Sequence, residues 1–174
     1  MFAIYLIVLR LVHIVASVCW AGGAFIHFLF VEPTAKALAP DGMRFVQYMV
    51  NKRRFAVFMA VSSTLTVLSG ALLLLQRAGG RWLEYMSTGA GLFFVLGSVT
   101  GIVVYFIGMF GVSPRAVKLG NLGQQIQAAG GPPTPAQAAE LHKLDKEMST
   151  LSLADFLLVA LSLVLMASAR FMIF

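Results

Sequence analysis

The residues with chemistry to offer begin in Arg10-Leu-Val-His13-Ile-Val-Ala-Ser17-Val-Cys-Trp20-Ala-Gly22-Gly23-Ala-Phe-Ile-His27, an apolar run that carries an arginine and two histidines. His13, Trp20 and His27 recur at seven-residue intervals, with Arg10, Ser17 and Gly23 on the turns between them. At about 100° per residue, the step from His13 to His27 closes to within about 40° of one face and rises about 21 Å. The polar residues therefore form one stripe on a helix that is otherwise Leu, Val, Ile and Phe. In lipid, such a stripe must turn towards protein, water or a cofactor.

His13 is the strongest candidate ligand. A neutral imidazole gives one nitrogen to a metal while a neighbour, a backbone carbonyl or Ser17, holds the other. Haem iron is commonly held this way, and a b-type haem suits the space between apolar helices. Arg10, one turn away, is placed to pair with a propionate. Gly22 and Gly23 withhold side chains where a flat macrocycle would approach, beside Ser17 and Trp20. The plainer alternative has His13 hydrogen-bonded across the bundle and Arg10 snorkelling to the interface. His27 extends the haem reading to a second, stacked haem. Two haems with paired histidines need four ligands and the chain has three, the last being His142 on an extramembrane helix, which at best approaches His27. His13 would then need a Met, another ligand or an open position. An interfacial hydrogen bond is the alternative for His27.

Other residues offer less. Asp155 is the carboxylate well inside an apolar run, fit for a salt bridge with a basic residue of the first loop or for proton relay. The nine methionines are dispersed along the chain rather than clustered as a copper relay would have them. Cys19 lies about 240° round the helix from His13 and cannot share its ligand set. Hydrolase and phosphate-loop signatures are absent.

The chain has 174 residues, of which 59% are hydrophobic and only 11% charged, with a mean hydropathy of +0.87. Soluble domains carry roughly 25% charge, so this is an integral membrane protein. Its basic excess then reads as loop topology rather than nucleic-acid binding. A single cysteine excludes an internal disulfide framework. The first apolar run is too long for a signal core, and Val18 is too large for a lipoprotein cleavage site ahead of Cys19, so the first helix is expected to be retained.

The expected fold is all-α, a single domain over 1–174, with four transmembrane helices at about 5–31, 42–76, 84–111 and 135–173. Each contains an apolar segment near the roughly 20 residues that cross a bilayer. Helix one is expected to stop at Glu32-Pro33, and helix two to begin in water near Asp41. Gly97 and Gly101 form a GxxxG pair in helix three. Residues 112–133 read as a Gly/Pro-rich loop, and Thr134-Pro135-Ala-Gln137 as a helix start. Helices two and four are thus expected to extend beyond the bilayer. Nine basic residues in loops one and three against two in loop two place those loops in the cytoplasm. Both termini are then periplasmic, in a multi-pass protein of the bacterial inner membrane. No internal repeat is evident.

Leu9-Arg10-Leu-Val-His13-Ile, Trp20-Ala-Gly22 and the aromatic run to Phe30-Val31 resemble the opening helix of the HemJ-type protoporphyrinogen IX oxidases. Asn51-Lys-Arg53-Arg54-Phe, leading through Thr66 to Ser69-Gly70-Ala-Leu-Leu, resembles their second helix. The same four-helix plan occurs in CopD-like copper-resistance proteins. The resemblance covers residues 5–76 and implies a haem ligand at His13 with its basic companion at Arg10. Met148-Ser-Thr-Leu151 stands where the oxidases have Asn-Glu-x-Pro. The expected function is that of a b-type haem redox protein with one haem or two. It would pass electrons to a partner or a quinone, or oxidise a membrane-accessible porphyrinogen or quinol. The alternatives are a CopD-like copper handler using His13, His27 and methionines, and an accessory subunit of a membrane complex. Lipids, a redox partner and a homo-oligomer or larger complex are the expected partners, and nucleic acid is not.

Overall fold

A computed structural model describes residues 1–173, and it is a four-helix membrane bundle. Four helices are long and apolar enough to cross a bilayer: α1 (Phe2–Ala37), α3 (Phe55–Ala78), α5 (Gly89–Ala129) and α6 (Pro135–Phe171). Two shorter helices, α2 (Asp41–Asn51) and α4 (Trp82–Met86), link them. α1 packs on α3 and α5 on α6, and the two hairpins join through α3 against α5 and α1 against α6.

The distribution of side chains is that of a protein in lipid. Large apolar residues such as Ile7, Leu11, Val15, Val18, Leu68 and Val164 face outwards, while the interior holds Ala16, Ala21, Ala24, Ser62, Ser63, Thr66 and Ser69. Small residues let helices approach where lipid offers no hydrophobic drive for association. The buried hydroxyls of α3 are satisfied within their own helix: Ser62 donates to the Phe58 carbonyl at 2.7 Å and Thr66 to that of Ser62 at 2.8 Å. Across the second hairpin Ser162 donates to the Gly97 carbonyl at 2.8 Å, and a Cβ on Gly97 would stand 2.8 Å from Met166 Cγ. The GxxxG segment thus packs against α6 within the chain.

Several expected boundaries are corrected. α1 does not stop at Glu32-Pro33 but continues to Ala37 through a π turn at His27–Val31. α5 likewise passes Pro114 through a π turn at Ile107–Val112 and runs on to Ala129, where a loop was expected. Proline removes one backbone donor and crowds the preceding turn; a wider π turn just before it relieves both without ending the helix. Helix two, expected to be continuous from residue 42, is broken at Lys52–Arg54, where Arg54 takes a left-handed φ of 54°. Helix three begins at Gly89 rather than 84, after the separate α4. The capping box of Thr134 and Gln137 is formed, and α6 ends in a 3-10 turn at Phe171, short of the expected residue 173.

All four long helices bring an extension or a loop to the basic end of the bundle, opposite the chain termini. There α6 serves as a spine. Lys36 of α1 bridges Glu32 at 2.9 Å and Asp145 at 3.3 Å, and Arg115 of α5 pairs with Glu147 at 2.7 Å. Lys118 pairs with Glu140 beside them.

Candidate functional site

His13, Ser17, Trp20 and His27 of the α1 stripe face the interior and divide between two cavities. The one nearer the termini has a volume of about 280 Å³ and is lined by His13, Ser17, Trp20, Gly70, Trp82 and Met166 among others. The one nearer the basic end, about 200 Å³, is lined by His27, Asp155 and residues of α1, α2, α3, α5 and α6. Trp20 lines both, and with Ala21, Val104 and Val159 it forms the buried cluster between them.

His13 is half-buried, and its Nδ1 lies 2.9 Å from the Thr66 carbonyl oxygen and 3.2 Å from Ser69 Oγ. A carbonyl only accepts, so Nδ1 carries the hydrogen. The Ser69 hydroxyl already donates to the Leu65 carbonyl, which leaves a lone pair facing His13. Nε2 of the neutral ring is therefore the unprotonated nitrogen, as a metal ligand requires. The ring lies against Gly70: a Cβ there would stand 2.7 Å from His13 Cε1.

Of the two holders considered for the second nitrogen, the structure uses a backbone carbonyl. Ser17 instead donates to the His13 carbonyl of its own helix at 2.7 Å, while still lining the cavity. Arg10 is exposed, outside the cavity lining, with no hydrogen bond or ion pair among the described residues. Gly23 does not face a cavity. A Cβ on it would meet Met59 Sδ at 2.6 Å, so its role is close packing of α1 on α3, while Gly22 has open space around it.

His27 stacks on Phe55, with ring centroids 6.0 Å apart and planes 15° apart. It forms no hydrogen bond among the described residues, and neither does Asp155; the salt bridge considered between Asp155 and loop one is not made. Both π turns border this cavity, through His27 and Phe28 on α1 and Gly108, Met109 and Val112 on α5. His142 is exposed and outside the cavity lining, so it does not approach His27. Cys19 is half-buried and lines neither cavity. Among the described residues no group of three or more His, Cys, Asp or Glu is placed to hold a metal ion.

Several site residues were not singled out from the sequence. Thr66, Ser69 and Gly70, present in the sequence as part of the small-residue run of α3 and of the second-helix resemblance, form the seat of His13. Met166 and Trp82 close the terminal-side cavity from α6 and α4. Met43, Met59, Met109 and Met148, dispersed in sequence, line the His27 cavity together. Comparison of the chain with protein-family models, curated proteins and solved structures finds no match.

Proposed function

We propose that this protein holds a b-type haem on His13 and serves as a membrane redox protein, passing electrons or oxidising a membrane-accessible substrate such as a porphyrinogen or quinol. The observation that carries the reading is the His13–Thr66 hydrogen bond, which fixes the tautomer and leaves Nε2 as the free donor. The cavity residues fit the group in kind. The walls are apolar, Gly70 and Gly101 remove bulk, and Met166 brings a thioether as candidate second ligand. In size, about 280 Å³ falls just below the ~300–1,000 Å³ typical of ligand sites. A macrocycle held by His13 would need more room than this cavity alone provides.

When bound, haem supplies one-electron exchange, and a methionine second ligand raises its potential. The chain's own contributions are positional. Thr66 orients the imidazole, Gly70 sets its depth and Trp20 closes the floor of the cavity. Arg10, exposed one turn towards the termini, is a guanidinium available to a propionate. The test is the haem content and reduced absorption spectrum of the purified protein. One haem per chain with a b-type spectrum is expected. Colourless protein carrying copper would replace this reading with copper handling, and protein with neither would favour an accessory subunit.

A further inference from the structure

The cavity at the basic end is assigned nothing by the reading above. It lies at a depth where all four long helices contribute, and each π turn, the one irregular stretch within α1 and within α5, opens onto it. π turns persist in helices mostly where function holds them. Two half-buried ionisable side chains, His27 and Asp155, line it without a hydrogen-bond partner among the described residues. Groups of this kind in a membrane interior ordinarily find partners. The walls between them are aromatic and thioether: Phe28 and Phe55, with Met59, Met109 and Met148. Methionine adapts to flat apolar ligands.

We infer that this cavity binds the headgroup of a quinol, a lipid-soluble ring whose two hydroxyls donate to the Asp155 carboxylate and the His27 imidazole. The chemistry that selects it is the pairing of two acceptors with flat apolar walls. A second haem is less well served, because at about 200 Å³ the cavity is smaller than the one beside His13. Occupancy by the ring does not depend on haem at His13. Exchange of electrons between the two does, and so rests on the function proposed above.

The test follows Trp20, which borders the cavity, in a Trp82→Phe background that leaves Trp20 as the remaining tryptophan. Decylubiquinol, kept reduced, is titrated into the full-length protein in lipid nanodiscs. A saturable change in Trp20 emission is expected. Asp155→Asn and His27→Phe should each raise the half-saturation point about tenfold, the effect of losing a charge-assisted or buried hydrogen bond. His13→Ala should leave it unchanged, so a failure of the haem reading does not disturb this result. Gly108→Leu fills the cavity from a position with open space around it and should abolish saturation; it decides the matter if the other variants do not fold. A non-saturating response, equal in all variants, would mean partition into lipid and would overturn the proposal. So would a tenfold shift on His13→Ala, or saturation that survives Gly108→Leu.

Discussion

Gly70→Ala tests whether His13 is held in place or merely packed. The added Cβ would stand 2.7 Å from His13 Cε1 and 3.1 Å from Nδ1, against an ordinary contact of 3.4 Å or more. The ring must therefore retreat by about 0.7 Å, which takes Nδ1 from its 2.9 Å contact with the Thr66 carbonyl to beyond the ~3.2 Å limit of a good N–H···O bond. Losing that bond costs about 0.5–1.5 kcal/mol. Alanine is more favourable than glycine within a helix by up to about 1 kcal/mol. The two effects nearly offset, so fold stability should change by less than about 1 kcal/mol while haem retention falls severalfold. Thermal unfolding by circular dichroism and haem per chain by absorbance read the two quantities separately. Gly22→Ala, with nothing within 4 Å of its Cβ, is the matched control and should keep its haem. A Gly70→Ala protein with full haem and an unshifted spectrum would refute the claim that this seat positions the ligand.

Other expectations follow from particular contacts. Ser162→Ala removes the hydrogen bond to the Gly97 carbonyl and should lower stability by about 0.6 kcal/mol, typical of bonds between membrane helices, whereas Gly97→Leu should prevent α5 from docking on α6; thermal unfolding in detergent separates the two. Thr134→Ala breaks the capping box and should loosen the first turn of α6 by about 1 kcal/mol, seen as faster amide exchange confined to residues 135–138. Lys36→Ala removes a partly exposed bridge to Glu32 and Asp145 and should cost under about 1 kcal/mol, an effect that shrinks further in high salt. In a Cys19→Ser background, cysteines at positions 36 and 118 should react together from the face opposite a cysteine at position 5. Labelling of 36 and 118 from opposite sides would break the four-span topology.

The fold was legible because lipid imposes a simple rule: about 20 apolar residues cross it, and its backbone must close its own hydrogen bonds. Four spans and the cap at Thr134 follow directly. The errors fell at Pro33, where proline reads as a helix end, and beyond residue 111, where the Gly/Pro-rich composition of 112–133 reads as a loop. A π turn absorbs the clash there, and it is a tertiary solution with no pattern of its own in the sequence. The break at Arg54 was hidden for a similar reason, since nothing about Lys52-Arg53-Arg54 marks a left-handed residue. For the site, the stripe of His13, Trp20 and His27 was readable from helical spacing alone. The partners were not. Thr66 and Gly70 reach His13 only through the docking of α3, and Met166 joins its cavity only through that of α6. Gly23 shows the converse: its small size was read as room for a cofactor, and Met59 fills that room.

The most direct test of the haem reading is the absorption spectrum of His13→Ala beside the wild type and His27→Ala, each purified under the same conditions. Alanine lowers the cost of entering the bilayer, so the variants should insert as well as the wild type does. The account predicts that His13→Ala loses the high-affinity b-type spectrum while the bundle keeps its helicity, and that His27→Ala retains one haem per chain. A His13→Ala protein with the wild-type haem content and spectrum would contradict it.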